Sequence, residues 1–383
     1  MKKLLCMLLA AMMILSAVCV ATAEETASYK IAILTGTTSQ GEEEYYAANS
    51  LVEQYPDKVM HDTYPDAFSS EVETTISKLI AFASDPDVKA IIFVQGVQGA
   101  TSAFTQIKNE MGRDDILLIT GVPAEDPADI SAVADIVLAN DEIGCGYQVA
   151  DLAAEWGCDV IVHYSFARHM SYETIVAKHD AMKATAESYG IELVERDAPD
   201  PTGDAGMSGA QAAILEDVPK VMEEYAGKSV CFYCTNCGMQ VALQQAVLAA
   251  IQEGQPAYYG LPCCPSPYHG FQEAFGLEAT YGDIEGAITN LANYLDQYDA
   301  TEHFSTWSLP VNMAMINASF TYACMYAEGK LEGKVDEQAL TDCISAEAGA
   351  AIELGKYTNA EGETVDNYYL IALSPINFAD YVG

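Results

Sequence analysis

The sequence predicts an α/β protein with two doubly wound domains, each built on a mostly parallel sheet and joined by a hinge. Apolar runs typical of buried strands alternate with helical patterns over residues 29–261. This alternation runs through five strands and is then repeated, as expected for two successive sets of right-handed β-α-β units. The length of 383 residues leaves room for two domains that each bury a core.

The first set opens with the apolar run YKIAILTG. Its strands are predicted at 29–36, 58–65, 88–96, 115–123 and 134–141. Helices are expected at 37–56, 68–87 and 100–112. Two capping boxes are expected to begin the first two of these helices, Ser39 with Glu42 and Ser70 with Glu73.

The second set repeats the alternation. Its strands are predicted at 158–166, 191–199, 228–236 and 256–262. Its helices are predicted at 143–157, 171–190, 207–227 and 238–254, and a further helix at 283–299. From there to the C-terminus the pattern is less regular, and no short repeat or low-complexity stretch interrupts the chain.

The first residues have the organisation of a secretory signal peptide. Lys2 and Lys3 precede an apolar run, and the small residues Ala21 and Ala23 suit a signal peptidase that cuts after Ala23. A membrane anchor is less favoured because of this cleavage pattern. A lipid anchor on Cys19 is less favoured because Val18 is a poor residue to precede a lipidated cysteine. We therefore expect residues 1–23 to be a signal peptide and the protein to be exported, to the periplasm or the outer cell surface.

The charge of the chain excludes one class of partner. The formal net charge is −39, from 17 basic and 56 acidic residues. Such a surface repels nucleic acid phosphates and anionic membranes, so no nucleic acid partner is expected. The acids are spread along the chain, which favours a role in solubility over a specific cation site.

Cysteines are concentrated in the stretch KSVCFYCTNCGMQ and just after it. They are Cys231, Cys234, Cys237, Cys263 and Cys264. The segment CFYC is apolar and lacks the turn that a zinc-binding C-x-x-C pair needs, and residues three apart on a strand point to opposite faces. We therefore expect no metal or cofactor. A thiol- or metal-dependent exported enzyme using these five cysteines stays open, because adjacent strand ends meet at one edge of a sheet.

Three stretches resemble the type 1 periplasmic-binding-protein family, the substrate receptors of ABC importers. YKIAILTG with its polar loop resembles the opening strand, and DEIGCGYQVADLAAEWG resembles the helix that opens the second domain. CFYCTNCGMQVALQQAVLAA resembles the strand-loop-helix with an Asn-Asp pair, in which Asn236 matches the Asn and Cys237 replaces the Asp. The resemblance covers roughly residues 29–299.

The resemblance implies a solute-binding receptor and no enzyme activity. The receptor would close on a small molecule between its domains and deliver it to an ABC-importer permease; a ligand sensor without transport is the alternative. We expect a monomer with an N-terminal domain of residues 29–140 plus about 262–303. The C-terminal domain is expected to contain residues 141–261 plus about 304–383.

Ligands of open parallel sheets bind beyond the carboxyl ends of the strands, so the loops there contain the candidate ligand-binding residues. Arg168 could hold a ligand carboxylate or phosphate through two parallel hydrogen bonds, or pair with an acid of its own domain. Aromatic candidates could stack on a flat ligand or pack in the core. The full set of candidates is Thr37, Thr38, Ser39, Gln95, Gln98, Phe166, Arg168, His169, Asn236, Cys237, Tyr268 and His269.

Overall fold

The computed structural model describes residues 29–278, 283–348, 352–359 and 362–383. The predicted signal peptide, with Cys19, lies outside the described residues. Every described helix is too short or too polar to span a lipid bilayer.

Thirteen strands occur in the described residues. They are β1 (Lys30–Thr35), β2 (Val59–Thr63), β3 (Val88–Val94), β4 (Leu117–Gly121), β5 (Ile136–Asn140), β6 (Val160–Ser165), β7 (Glu192–Asp197), β8 (Val230–Cys234), β9 (Ala257–Tyr259), β10 (Ser305–Trp307), β11 (Leu354–Thr358), β12 (Thr364–Ile371) and β13 (Pro375–Asn377). All nine predicted strands are present, as β1 to β9.

Twelve α-helices accompany these strands in the described part of the chain. They are α1 (Thr38–Gln54), α2 (Val72–Ala83), α3 (Ala100–Thr105), α4 (Pro127–Val133), α5 (Glu142–Glu155), α6 (Glu173–Tyr189), α7 (Gly206–Glu224), α8 (Cys237–Gln252), α9 (Phe271–Phe275), α10 (Ile284–Asp296), α11 (Val311–Ala327) and α12 (Glu337–Ala348). A π-helical turn, Gln106–Glu110, continues α3.

The strands form two mainly parallel sheets, as predicted. The first has seven strands in the order β11-β12-β5-β4-β3-β1-β2, parallel except for the antiparallel β11–β12 pair. The second has the four parallel strands β7-β6-β8-β9, and β10 pairs with β13 separately. In both sheets the first strand of the set lies between two later ones, β1 between β2 and β3 and β6 between β7 and β8, which places helices on both faces and defines a doubly wound fold.

Sheet membership in the C-terminal third differs from the expected division of the chain. Residues 304–383 were expected with the second domain, but β11 and β12 join the first sheet beside β5. Helix α10 was expected with the first domain, yet its Ile288, Leu291 and Leu295 pack in the core of the second sheet. Long connections that return to a distant sheet leave no periodic pattern in sequence, which is why this exchange was missed. The domain boundaries themselves stay a prediction.

The largest core is shared by the two sheets. Ile31 and Ile33 of β1 face it, whereas Ala32 and Leu34 between them face a separate core on the other side of the sheet, as the two-residue period of a strand requires. Ile161 of the second sheet packs in the same shared core. Apolar side chains from both sheets are thus buried in one core, which joins the two halves of the molecule.

Helix α11 lies within this shared core. Its sequence is apolar around the whole circumference, and ten of its residues are buried, as expected of a helix enclosed on all sides. Met315 is fully buried there, and a Cβ on Gly121 of β4 would lie 3.1 Å from its sulfur. The helix therefore packs directly on the first sheet.

Both predicted capping boxes are wrong. The residue that caps α1 is Thr37, whose hydroxyl accepts from the backbone N–H of Ser39 at 3.3 Å. Helix α2 begins after Glu71 without a side-chain cap, and the Ser70 hydroxyl instead donates to the carbonyl of Ala67. A serine hydroxyl can form a hydrogen bond with any of several nearby backbone groups, so a capping pattern does not specify which group it binds.

Replacing Met315 by Ala should lower the free energy of unfolding by about 2–5 kcal/mol, because the shortened side chain leaves a cavity between α11 and the first sheet. Urea unfolding followed by circular dichroism measures the shift of the midpoint. Val335→Ala is the control, since Val335 is 44% exposed and its truncation should change little. Equal midpoints for the two variants would contradict the central position of α11.

Candidate functional site

The carboxyl ends of strands from both sheets border one cavity of about 130 Å³. Gln95 and Asn140, at the ends of β3 and β5, line it from the first sheet. Arg168 and Thr235, beyond β6 and β8, line it from the second sheet. The cavity thus lies in the cleft between the sheets, where ligands bind in open parallel α/β folds.

Much of the cavity wall is apolar or aromatic. Phe68 and Tyr368 contribute from the side of the first sheet, and Tyr172 and Ile175 from the side of the second. Lys178 on α6 is 2% exposed, lines the same wall and has its ammonium 5.7 Å from the centre of the Tyr233 ring. Such a wall suits a small molecule with an apolar body and a few polar groups.

Three candidates lie at the start of α1. Thr37 caps the helix and donates a hydrogen bond to Asp66. Thr38 and Ser39 are exposed and line a second opening, next to the main cavity, together with His269. The structure therefore does not bring these three residues to the wall of the main cavity.

The two glutamines bond to other protein groups. Gln95 lines the main cavity, and its amide donates to Glu44 Oε1 at 2.9 Å. Gln98 donates to the hydroxyl of Tyr172, which belongs to the other half of the molecule. Gln98 thus connects the two sides of the cleft.

Arg168 forms the ion pair that was the alternative to ligand binding. Its Nε and Nη2 donate to the two carboxylate oxygens of Asp200 at 2.6 and 2.9 Å, and its Nη1 donates to the Tyr172 hydroxyl at 2.9 Å. Burial would raise the pKa of Asp200, but hydrogen bonds from Arg168 and Thr202 lower it to about 2. The fork that was expected to bind a ligand anion is therefore occupied by Asp200.

His169 lines the cavity as a neutral imidazole. Burial, assisted by the charge of Arg168, lowers the pKa of His169 to about 3. Its Nε2 lies 3.3 Å from the amide nitrogen of Asn236, and its Nδ1 is buried without a hydrogen-bond partner among the described residues. Asn236 also caps α8 by accepting from the N–H of Gly238 at 2.9 Å. Since Nε2 accepts from Asn236, Nδ1 carries the proton.

Two aromatic candidates lie in the core of the second sheet. Phe166 is 4% exposed and Tyr268 is fully buried. Neither lies in the wall of the main cavity, since the aromatic side chains there are Phe68, Tyr172 and others. Core packing accounts for both positions.

Cys237 and His269 belong to a buried cluster that sequence reasoning assembled only in part. The Cys237 and Cys264 sulfurs are 2.8 Å apart, and the Cys263 sulfur is 3.9 Å from each of them. Nδ1 of His269 lies 3.8 Å from Oε1 of Glu43. Cys237 begins α8 after β8, and Cys263, Cys264 and His269 lie in the loop after β9, whereas Glu43 comes from α1 on the other side of the cleft.

The pKa values of Cys237 and His269 in this cluster are shifted in opposite directions. Hydrogen bonds from Cys263 and Cys264, against the effect of burial and with help from His269, hold the pKa of Cys237 well below its usual range. Burial would lower the pKa of His269, but the nearby Cys237 and Glu43 raise it well above its ordinary value. Both shifts favour the thiolate form of Cys237 and the imidazolium form of His269.

Glu44 lies next to the cluster and was not found from the sequence. It is 1% exposed, and burial raises its pKa to about 8, with the neighbouring charge of Glu43 acting in the same direction. The sequence does indicate the burial of Glu44, because its helical spacing places it on the same face as the buried Ala47, Ala48 and Leu51. Lys178 and Asp200 were also missed, since single charged residues in helices and loops carry no distinguishing pattern.

The other two cysteines of the predicted group stay apart from this cluster. Cys231 packs in the core shared by the two sheets, and Cys234 packs in the core on the opposite face of the second sheet. This is the alternation expected for residues three apart on a strand. The five cysteines therefore do not form one site.

The fold is the one shared by type 1 periplasmic binding proteins, as the resemblance predicts. The chain belongs to the family described as "Protein of unknown function (DUF3798)", whose model matches residues 29–305. An uncharacterized protein of Treponema pallidum (strain Nichols) is 35% identical over 182 residues, which is 46% of this chain and 81% of that protein. A second one is 34% identical over 170 residues, covering 44% and 77%.

Solved structures share the fold. A putative transcriptional regulator from Clostridium difficile 630 aligns with a TM-score of 0.70 at 18% identity, over 91% of this chain and 99% of that one. An ABC transporter periplasmic solute binding protein from Actinobacillus succinogenes 130z, with bound D-allose, aligns with a TM-score of 0.55 at 13% identity, over 82% and 99%. The 5-methylthioribose transporter solute binding protein from Thermotoga lettingae TMO gives 0.55 at 12%, over 91% and 87%. At these identities the likeness shows the fold alone.

Replacing Arg168 by Met should lower the free energy of unfolding by about 1–3 kcal/mol, because Asp200 is left partly buried and unpaired. Thermal and urea unfolding measure the change. Lys228→Met is the matched control, since Lys228 and its partner Glu192 are 46% and 54% exposed and their pair contributes little. If the two variants unfold alike, the Arg168–Asp200 pair is not structural.

Replacing Glu44 by Gln in the reduced, metal-free protein should stabilise it increasingly as the pH rises. The folded chain keeps a proton on Glu44 up to about pH 8, whereas the unfolded chain releases it near pH 4.3. Native stability therefore falls between these pH values, and the Gln variant lacks that loss. We expect a gain on the order of 1 kcal/mol or more at pH 8 and almost none at pH 4.5, from urea unfolding at both pH values. The exposed Glu187→Gln is the control, and a gain independent of pH would contradict the burial of a protonated Glu44.

Proposed function

We propose that this protein is an exported solute-binding receptor that closes on a small molecule in the cleft between its two sheets. The receptor would be a monomer that needs no cofactor for transport, and it would deliver this molecule to an ABC-importer permease. The observation that carries the proposal is the cavity of about 130 Å³ bordered by strand ends of both sheets. Two solved structures of the same fold are described as solute binding proteins, one of an ABC transporter and one of a 5-methylthioribose transporter, which supports the same role here.

Contacts across the cleft support a closing motion. The hydroxyls of Ser69 and Thr202 are 2.8 Å apart, and the hydroxyl of Tyr357 donates to Glu173 at 2.7 Å. In each pair one residue belongs to the half of the first sheet and the other to the half of the second. These polar bonds lie at the rim of the cleft and can be exchanged for water on opening, which is how hinge-bending receptors admit a ligand.

The groups in the cavity wall support a particular kind of ligand. Nδ1 of His169 offers a hydrogen bond that no described residue accepts, and Lys178 adds a cationic group to the wall. Phe68 and Tyr172 supply aromatic surface on opposite sides. We therefore infer a small molecule with an apolar or flat body and at least one hydrogen-bond acceptor.

A thiol-dependent activity is the second candidate. Cys237 begins α8, where the helix N-terminus favours a thiolate. His269 lies beside it, with Glu43 positioned 3.8 Å from its other side. A nucleophile, a base and an orienting carboxylate occur in this order in cysteine-dependent enzymes. The receptor is preferred because the cavity and the contacts at its rim have no role in that alternative.

Native mass spectrometry of the folded protein should show one small molecule bound, and small-angle scattering should show expansion once that molecule is removed. Tyr357→Phe removes the bond to Glu173 but keeps the ring against Tyr368, whose ring centre is 4.9 Å away. We expect this variant to be more expanded without ligand and unchanged with it. Tyr55→Phe is the control, since Tyr55 is 42% exposed and far from the rim. A protein whose radius of gyration is the same in all these states does not close by the proposed motion.

A further inference from the structure

We propose that Cys237, Cys263, Cys264 and His269 form a binding site for a thiophilic metal ion at the wall of the cleft. Ligand atoms of Cys237, Cys264 and His269 all lie within 4.8 Å of one another. The Cys263 sulfur lies 3.9 Å from both other sulfurs. The site goes beyond the proposed receptor function and can be tested without knowing the solute.

The spacing of the sulfurs suits tetrahedral coordination. Zinc–sulfur bonds of about 2.3 Å place two thiolates of a tetrahedron roughly 3.8 Å apart. Cys263 already has this spacing to Cys237 and to Cys264. The Cys237–Cys264 distance of 2.8 Å needs to widen by about 1 Å, which a small side-chain rotation provides.

A disulfide between Cys237 and Cys264 is the competing arrangement. It requires a sulfur–sulfur distance of about 2.05 Å, so these two sulfurs alone do not distinguish it from a metal site. The third thiol and the imidazole favour the metal site, because a disulfide leaves Cys263 and His269 without a function in the cluster. A metal ion would use Cys237, Cys264 and His269, whose ligand atoms are already close together, and would draw in Cys263, whose sulfur is 3.9 Å from the other two sulfurs.

Glu43 supplies an independent observation. Its Oε1 is buried and has no hydrogen-bond partner among the described residues, and it faces Nδ1 of His269 at 3.8 Å. A histidine that binds a metal through one nitrogen commonly donates the N–H of the other to a carboxylate. A metal ion on Nε2 of His269 would place a proton on Nδ1 and direct it at the unsatisfied oxygen of Glu43.

Charge also favours a cation here. Glu43 and Glu44 are each 1% exposed, and a nearby cation would stabilise the ionised form of either buried carboxyl. Gln95 connects this pair to the sulfurs, since its amide lies 2.9 Å from Glu44 Oε1 and 3.9 Å from the Cys264 sulfur. An ion at the cluster would thus be supported from both halves of the molecule.

An entry path is present. Cys237 lines the main cavity and also the second opening, which His269 lines as well. Three sulfurs and one imidazole nitrogen select soft or borderline ions such as Zn²⁺ and Cu⁺ over Mg²⁺ and Ca²⁺. Zn²⁺ is the appropriate probe because it takes four ligands in a closed tetrahedral site and has no redox chemistry.

Titration of the reduced full chain with Zn²⁺ against a chromogenic chelator tests the proposal. We expect one tightly bound equivalent, and an affinity lower by at least about a hundredfold in Cys264→Ser or His269→Ala. Glu43→Gln should weaken binding by about 10–100-fold, because it retains the ligands and alters only their support. Cys324→Ser is the control for a half-buried cysteine outside the cluster and should bind as the parent does.

Two further measurements keep the test independent of variant folding. X-ray absorption of the zinc-loaded parent should show three sulfurs and one nitrogen around the ion. Bound zinc should also protect Cys237, Cys263 and Cys264 from iodoacetamide, while labelling of Cys324 is unchanged. Substoichiometric binding that Cys264→Ser does not reduce, a Cys237–Cys264 disulfide that persists in reductant, or labelling of Cys237 that zinc does not slow would each overturn the proposal. The last result would point instead to the thiol-dependent alternative.

Discussion

Parallel strand pairing is the constraint on which the whole arrangement depends. A parallel strand can be followed by its neighbour only after a crossover, so helices cover both faces of the sheet and every carboxyl end lies at the same edge. In this chain two such sheets share one core, in which Ile33 of β1 and Ile161 of β6 pack together with α11. The edges with the carboxyl ends of the strands therefore face each other, and the loops after β3, β6, β8 and β9 meet in one cleft.

The acidic composition decides how the few basic side chains are used. With 56 acids and 17 basic residues, a cation beyond a strand end has a carboxylate within reach in most positions. Arg168 follows this rule, since Asp200 accepts hydrogen bonds from its Nε and Nη2. The scarcity of bases, which suggested a ligand-binding role for Arg168, is thus the same property that makes an internal ion pair the expected outcome.

The cleft combines two chemically different regions. One is the aromatic cavity between Phe68 and Tyr172, with a neutral His169 in its wall. The other is the cluster of three sulfurs and an imidazole, which is opposed by two buried carboxyls from α1. Cys237 belongs to both regions because α8 begins where the second sheet ends. A single helix N-terminus therefore connects the proposed solute site with the proposed metal site.

Local patterns in the sequence determined the nine strands of the two sets, the helices between them except α4, and the opposite faces of Cys231 and Cys234, because burial on a strand or helix repeats with a fixed period. The same patterns placed the candidate residues at the right edge of each sheet. Only the tertiary structure decided that β11 and β12 return to the first sheet and that Cys237 meets Cys263 and Cys264. These features depend on contacts between residues far apart in the chain, and no local periodicity encodes which distant partner a side chain will meet.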